Sequence, residues 1–199
     1  HVGREVPAGI YSGALMVQTD ESAPVEVPVR LRVYNFELPK RPPLQISMWL
    51  NEQHIKDWYG WDEIPKDIRR AQMSFLLEHR LNPSWFTAIG DEDDVEFQIE
   101  NGLNSFMLGV AAEWPLKKET EEQMDRWYKF FKDRNLLDIC FIYGQDEPSA
   151  KDYPKVRDVL TRVAQKYPGV RRFCTAYPPV PMLEGAVDTW VVGPNLFNY

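Results

Sequence analysis

The sequence predicts an α/β fold that follows the end of a β-rich domain, and three observations support this. Residues 1–39 consist of short β-type runs, whereas residues 42–199 alternate short apolar runs with segments of helical spacing. Such alternation is typical of parallel strands joined by right-handed crossovers that contain helices. Between the two regions, residues 38–43 form a stiff, proline-rich linker, so we place a domain boundary near residue 41.

The N-terminal region contains two predicted strands. Residues 9–19 form the first, residues 20–24 are typical of a turn, and residues 25–34 alternate apolar and charged side chains as a strand with one solvated face does. Pro28 indicates an edge position because proline cannot donate to a β ladder. Two strands are not stable alone. We therefore interpret residues 1–41 as the C-terminal part of a β-sandwich and its linker, with further strands upstream.

After the linker, six strands and four helices are predicted. The first strand spans residues 44–50, and apolar residues at helical spacing follow within residues 62–80. Thr120 is expected to cap a later helix, with Gln123 completing a capping box. The other strands are expected at residues 85–89, 105–110, 139–143, 172–176 and 189–192, and the other helices at residues 93–101 and 153–166.

The alternation of strands and helices fits either a doubly wound sheet or a (β/α)8 barrel of the TIM type. A glycine-rich phosphate loop follows none of the predicted strands, which argues against a nucleotide-binding doubly wound sheet. In a barrel, the chemistry gathers at the C-terminal ends of the strands. Polar and aromatic side chains cluster at these positions, which favours the barrel: Trp49, Asn51, Glu113, Trp114, Asp146, Glu147, Tyr177, Trp190 and Asn195.

The number of strands predicts an incomplete barrel. A closed barrel needs about eight strands, and six are predicted before the chain ends. We therefore expect residues 42–199 to form the N-terminal part of a catalytic (β/α)8 barrel, truncated after about six strands. The first and sixth strands would keep unpaired edges, which invite pairing with another chain. The closing strands are expected from a missing segment or another chain, and the 199-residue chain is not expected to be a self-sufficient enzyme.

Composition excludes several classes of partner. The formal net charge is −7, and Lys and Arg are scattered without a basic stripe, which argues against a nucleic-acid partner. The longest apolar runs are far too short to span a membrane. No sequence pattern indicates a cofactor.

The sequence also predicts no metal site. Cys140 and Cys174 each lie within an apolar run, which indicates buried thiols, and the chain has no CxxC motif or Cys/His cluster. His54 and His79 have no partner at ligand spacing. The acidic run at residues 91–94 lacks the spaced pattern of a calcium loop, and we interpret it as a helix N-terminus.

The strongest candidates for chemistry are Asp146 and Glu147, within residues 143–148 (Tyr-Gly-Gln-Asp-Glu-Pro). Acidic residues followed by proline are also common just before a helix, which is the structural alternative. Three features favour catalysis: the pair follows a strand, Gly144 lets the backbone turn or approach a ligand closely, and aromatic residues end the neighbouring strands. Glycoside cleavage needs a proton donor at the leaving oxygen and an anion near the oxocarbenium ion, and two mutually repelling carboxyls can divide these roles.

Aromatic side chains at the strand ends are candidates for sugar binding. A pyranose packs its apolar C–H face on a flat aromatic ring, while its hydroxyls need polar partners nearby. Tyr177 and Trp190 are expected to line the sugar pocket, and Asn195 is a further candidate for substrate binding. Trp49 or Trp114 is expected near the wall of the pocket. The alternative for any single tryptophan is core packing.

Short pieces spread along the chain resemble glycoside hydrolase family 123 and its relatives: residues 7–13, 36–39, 104–106, 143–148 and 187–190. Residues 143–148 are the most specific of them. The resemblance implies a retaining exo-β-N-acetylgalactosaminidase that acts on a glycan or glycoside and uses the substrate's own 2-acetamido oxygen as nucleophile. It implies Glu147 as general acid/base and Asp146 as the residue that orients the acetamide and stabilises an oxazolinium-like intermediate. It also implies a secreted or periplasmic protein.

Two other functions remain open at this point. Many barrel glycosidases carry Asn-Glu-Pro at the end of strand four, with the Glu as acid/base and a nucleophile on strand seven. Here Asp146 stands where that Asn belongs, which favours the substrate-assisted mechanism. The other alternative is a non-catalytic, carbohydrate-binding barrel.

Overall fold

The computed structural model of the protein describes residues 2–3, 5–83, 90–175 and 180–191. The chain divides into two compact units, His1–Pro39 and Lys40–Tyr199. The predicted strand at residues 85–89 lies outside the described residues, as do the candidate site residues Tyr177 and Asn195.

The first unit contains an antiparallel hairpin of β1 (Gly9–Val17) and β2 (Val25–Val33). Its two strands confirm the predicted ones, while the β-sandwich to which we assign them stays a prediction. The register pairs Leu15 with Val27, and Met16 with Glu26, so directly opposed side chains share a face. One face of the hairpin is therefore apolar, and seven of its side chains are exposed: Tyr11, Leu15, Val17, Val25, Val27, Val29 and Leu31.

The second unit alternates helices with parallel strands. Its helices are α1 (Glu52–Tyr59), α2 (Lys66–Glu78), α3 (Glu92–Glu100), α4 (Lys118–Asp133) and α5 (Tyr153–Lys166), and its strands are β3 (Phe106–Val110), β4 (Cys140–Tyr143), β5 (Arg171–Thr175) and β6 (Thr189–Val191). The four strands form one parallel sheet in the order β3-β4-β5-β6. The second unit is thus α/β, as predicted, and each described strand pairs with the next one along the chain.

Both faces of the parallel sheet carry buried apolar clusters. Alternate residues of a strand point to opposite sides, so neighbouring residues belong to different clusters. On one face, Phe106, Cys140 and Ile142 belong to a buried cluster with Trp127 of α4 and Val159 of α5. The other face carries a second buried cluster of Met107, Phe141 and Tyr143. Three partly buried side chains pack against it: Val110, Phe173 and Val191. The crossover helices α4 and α5 therefore pack on the same side of the sheet.

The segment predicted as the first strand, residues 44–50, is not a regular strand. It makes one isolated parallel bridge, between Ser47 and Asn82. The buried amide of Asn104 holds the same region, because its Nδ2 donates to the Leu44 carbonyl at 2.8 Å and its Oδ1 accepts from Asn82 Nδ2 at 2.6 Å. Side-chain amides therefore supplement the backbone bonds that Ile46 and Met48 make with Asn82.

The helix predicted within residues 62–80 is confirmed as α2, but α1 was not predicted. Asn51 caps α1 by accepting from the N–H groups of Gln53 and His54 at 3.1 and 3.2 Å, and Gly60 ends it in the left-handed conformation. Asn51 thus has a structural role at the end of the first apolar run. Asp91 caps α3 by accepting from the Asp94 N–H at 2.9 Å, which confirms that the acidic run begins a helix.

The predicted capping box of the next helix is wrong. The helix α4 begins at Lys118, and the carbonyl of Lys117 already accepts from the Glu121 N–H at 2.9 Å, so Thr120 lies inside the first turn. Gln123 instead donates through Nε2 to the Leu108 carbonyl at 3.2 Å and ties the helix to β3. In contrast, α5 has the predicted bounds.

Candidate functional site

The candidate site begins where β4 ends. The N–H of Gly144 donates to the Phe173 carbonyl at 2.7 Å, so pairing with β5 continues one residue beyond the strand. A Cβ at position 144 would lie 3.1 Å from that carbonyl oxygen and 3.3 Å from a methyl group of Leu160. A side chain at position 144 would therefore be tightly packed between β5 and α5, and the turn that follows starts from a backbone held by this pairing.

The turn after Gly144 presents two adjacent carboxyls to solvent, because Asp146 and Glu147 are both exposed. The φ angle of Glu147 is +41°, in the left-handed region that non-glycine residues rarely adopt. Such conformations cost about 1–3 kcal/mol each and are concentrated at functional sites. Strain at the proposed proton donor supports a functional interpretation of this turn over a simple helix start.

The Asp146 carboxylate is anchored by a hydroxyl from the sheet. Tyr143 donates its hydroxyl to Asp146 Oδ1 at 2.7 Å, and the same hydroxyl is hydrogen-bonded to Thr175 Oγ1. Tyr143 and Thr175 are 2% and 8% exposed, at the C-terminal ends of β4 and β5. Burial and the nearby Asp146 carboxylate raise the pKa of the Tyr143 hydroxyl well above its ordinary value, so the hydroxyl keeps its proton and donates.

A buried thiol lies under the same turn. The Cys174 Sγ contacts the Gln145 carbonyl oxygen at 3.6 Å, and the residue is fully buried. Burial, with a further contribution from the Asp146 charge, raises the pKa of the Cys174 thiol to about 11. Cys140 is also free and buried, so the structure confirms both predicted thiols. Neither thiol is suited to act as a nucleophile, because neither is ionised at neutral pH.

The structure places Trp190 away from the Tyr143–Asp146 contact. Trp190 pairs with Cys174 in the β-ladder and packs against the cluster that contains Val156 and Leu160 of α5. It therefore lies on the helix-covered face of the sheet, whereas Tyr143 lies in the cluster on the opposite face. Its surroundings are those of a core-packing residue, and the expected sugar contact stays a prediction.

The two other candidate tryptophans differ in exposure. Trp49 follows the Ser47 bridge and is 60% exposed. Trp114 is partly buried and packs against the main hydrophobic cluster beneath α4. The expected sugar contact of either tryptophan stays a prediction.

The hydrogen bond between Tyr143 and Thr175 was not predicted from the sequence. Tyr143 ends the apolar strand β4, and Thr175 ends β5, a strand of mixed composition, so neither hydroxyl stands out. A usable signal was present, because each lies at the C-terminal end of a strand, where barrel enzymes place their chemistry. The described residues contain no group of three or more His, Cys, Asp and Glu side chains that could hold a metal ion. In the same part of the chain, no helix is both long and apolar enough to span a membrane.

Neither a protein-family model nor a curated protein matches this chain. Among solved structures, it is similar to a family 123 glycoside hydrolase from Clostridium perfringens, described in a study of glycolipid glycan hydrolysis, with a TM-score of 0.57 and 14% sequence identity. The similarity covers 98% of this chain and 46% of the clostridial chain, so this chain spans less than half the length of that enzyme. At this identity the comparison shows a shared fold.

Proposed function

We propose that this protein is a glycoside hydrolase that removes a terminal β-linked N-acetylgalactosamine with retention of configuration. The observation that carries the proposal is the carboxyl pair after β4, in which Asp146 is anchored by Tyr143 and Glu147 is exposed beside it. The shared fold with a glycoside hydrolase that acts on glycolipid glycans supports the same class of reaction. The resemblance of residues 143–148 to family 123 supports the sugar and the mechanism.

The two carboxyls divide the first step of the proposed reaction. Glu147 donates its proton to the glycosidic oxygen as the bond from that oxygen to C1 breaks. The carbonyl oxygen of the substrate's 2-acetamido group attacks C1 from the opposite face and forms an oxazolinium ion. Asp146 accepts a hydrogen bond from the acetamido N–H, and its negative charge stabilises the cationic ring.

The second step returns both carboxyls to their starting states. Glu147, now ionised, takes a proton from a water molecule that attacks C1, and the bond from C1 to the acetamido oxygen breaks. Two inversions at C1 give net retention. Because the nucleophile belongs to the substrate, the protein needs only one acid/base and one orienting carboxylate, which is what the turn provides.

The test compares chromogenic β-galactosaminides whose 2-acetamido group carries zero, one, two or three fluorine atoms. Fluorine withdraws electrons from the carbonyl oxygen, so we expect kcat/KM of the full-length protein to fall steadily along the series. Asp146→Asn should lower turnover of the 2-acetamido substrates, because an amide stabilises a cationic ring less than a carboxylate does.

Two results would contradict this mechanism. A wild-type protein that prefers the matching 2-hydroxy galactoside would instead support a barrel glycosidase with Glu147 as acid/base and a nucleophile on strand seven. Saturable binding of N-acetylgalactosamine without hydrolysis of any glycoside would support the non-catalytic carbohydrate-binding alternative.

A further inference from the structure

We infer that Tyr143 and Thr175 are positioning residues that fix the orientation of the Asp146 carboxylate for catalysis. The inference rests on the proposed function, because it concerns how Asp146 meets the substrate. Neither hydroxyl is part of the reaction steps above. What they share is a hydrogen-bonded line that runs from the end of β5, across the end of β4, to an exposed carboxylate.

The direction of this line follows from the number of protons. A tyrosine hydroxyl has one proton, and Tyr143 gives it to Asp146 Oδ1 at 2.7 Å. The Thr175 hydroxyl must therefore donate to the Tyr143 oxygen rather than accept from it. Donation from Thr175 polarises the Tyr143 hydroxyl and strengthens its bond to the carboxylate, as in other hydrogen-bond chains inside proteins.

The Tyr143 and Thr175 hydroxyls lie on buried strand residues, whereas the Asp146 carboxylate at the end of the line lies on an exposed turn. Tyr143 is 2% exposed and packs in the buried cluster with Met107 and Phe141. The ladder sets Tyr143 opposite Phe173, which places Thr175 two residues further along the neighbouring strand. Asp146 is exposed on a turn, so its side chain would otherwise sample several rotamers. Ordering the carboxylate before substrate binds removes this entropy cost from the catalytic step.

The anchor also selects which carboxylate oxygen meets the substrate. With Oδ1 held by Tyr143, Oδ2 keeps its full acceptor capacity for the acetamido N–H. If the Tyr143 hydroxyl is removed, the Asp146 side chain can rotate away from this orientation, and the fraction of molecules with a correctly aimed carboxylate falls. The loss should appear mainly in kcat, because a misplacement of about 1 Å can cost 10²-fold in rate while ground-state contacts survive.

The decisive experiment is a double-mutant cycle in the full-length protein, assayed with a chromogenic β-N-acetylgalactosaminide. We expect Tyr143→Phe to lower kcat by roughly 10- to 100-fold and to change KM by less than about twofold. In the Asp146→Ala background, Tyr143→Phe should cost less than about twofold, because the carboxylate that it positions is absent. Thr175→Val should lower kcat, and Thr175→Ser, which keeps the hydroxyl, should restore it.

The chain provides a matched control. Tyr167 is a second buried tyrosine whose hydroxyl donates to an aspartate, Asp125 Oδ1, at 2.8 Å, but the pair joins α4 to the end of α5. We expect Tyr167→Phe to lower the melting temperature and to leave kcat unchanged. This separates loss of a buried hydroxyl from loss of positioning.

The outcomes distinguish the inference from the proposed function. An active wild-type protein whose Tyr143→Phe variant keeps full kcat, or loses as much in the Asp146→Ala background as in wild type, would overturn the positioning role alone. A wild-type protein that hydrolyses no glycoside would overturn the proposed function, and the positioning role with it.

Discussion

At position 147, the backbone and the proposed chemistry make opposite demands on the residue type. The φ angle of +41° favours glycine, but glycine has no side chain that could deliver a proton. A non-glycine residue in the left-handed region costs about 1–2 kcal/mol, and the extra freedom of glycine in the unfolded chain returns about 0.5–1 kcal/mol of that. We therefore predict that Glu147→Gly stabilises the protein by about 0.5–1 kcal/mol while it abolishes hydrolysis.

The measurement for this substitution is the urea midpoint of the purified variant. The control is Asn135, which is exposed and has a φ of +56°. Because asparagine tolerates the left-handed region, Asn135→Gly should change stability by only ~0.3 kcal/mol. A lower midpoint for Glu147→Gly would show that residue 147 is not strained.

Glu147→Gln tests the chemistry at the same position without changing the backbone. The amide keeps the shape of the carboxyl but cannot donate the proton, so we predict that kcat falls about 10²–10⁴-fold. Binding of N-acetylgalactosamine, measured by calorimetry, should stay within a few-fold of wild type, ~3-fold. Turnover of an unactivated substrate at the wild-type rate would exclude Glu147 as the acid.

Part of the candidate site was predictable at the residue scale and part was not. Asp146 and Glu147 stand out in sequence because two carboxyls follow an apolar strand and precede Pro148. Tyr143 and Thr175 do not stand out, because their hydrogen bond depends on a pairing between neighbouring strands that only the register establishes. Trp190, in contrast, stands out in the sequence, but the face of the sheet on which its ring lies follows from its pairing with Cys174.

Among the elements, those with a strong local signal were predicted best. The buried run of β4 and the amphipathic α5 were found because their apolar residues repeat at the period of a strand and a helix. The helix start near Thr120 was wrong because a cap depends on the conformation of the preceding loop, which residue type alone does not set. Among the described residues, the segment predicted as a strand at residues 44–50 forms only an isolated bridge at Ser47, supplemented by the Asn104 amide, and an apolar run does not show how far such pairing extends.

The amide of Asn104 gives a prediction at the scale of elements. It is 1% exposed and bonds Asn82 and the Leu44 carbonyl, so it joins three separate segments at the start of β3. Asn104→Ala removes hydrogen bonds to the buried Asn82 amide, the Leu44 carbonyl and the carbonyl of the buried Pro42, and we predict a loss of about 2–4 kcal/mol of stability. Asn101→Ala is the matched control: Asn101 Nδ2 makes a local bond to the Phe97 carbonyl at 2.7 Å, and its loss should cost less than about 1 kcal/mol.

Chemical denaturation of the two asparagine variants is the measurement. Equal losses would mean that the Asn104 network does not hold the region at residues 44–48 in place. A large loss for Asn104→Ala alone would show that this amide stabilises the packing of residues 44–48 against the start of β3.

At the scale of the whole molecule, we propose that the second unit is part of a (β/α)8 barrel. Three observations support the proposal: the strands are parallel and follow one another in chain order, α4 and α5 cover the same face, and the opposite face carries its own buried cluster. A doubly wound sheet would reverse its strand order and place helices on both faces. An experimental structure of the full-length protein tests this directly.

Acid should destabilise the molecule through carboxylates that are paired in the folded state. Partial burial works against the charge of Asp188, but hydrogen bonds from the Arg172 guanidinium and N–H outweigh it and hold the pKa of Asp188 below its usual range. Hydrogen bonds also lower the pKa of three exposed carboxyls and of the half-buried Asp152; the exposed ones are Asp91, Asp93 and Asp133. The stability that these carboxylates contribute is fully present above their unfolded pKa of about 3.9. It is lost as the pH falls through their pKa values in the folded protein.

We therefore predict that thermal stability is flat near neutral pH and falls steeply below about pH 4. Asp188→Asn should be less stable than wild type at neutral pH, and the difference between the two should shrink in acid, because protonation removes the same ion pair. A difference that is constant across the pH range would show that the Asp188–Arg172 pair is not the cause.

The thiol of Cys174 can report motion of the turn that carries Asp146 and Glu147. It lies fully buried beneath the Gln145 carbonyl with its pKa at about 11, so it can lose its proton to solvent and react with an alkylating reagent only when the turn moves away. Cys140, buried within the sheet and its helices, reports opening of the core in the same molecule. The ratio of the two alkylation rates therefore separates local opening of the turn that carries Asp146 and Glu147 from unfolding of the second unit. The measurement needs no introduced label.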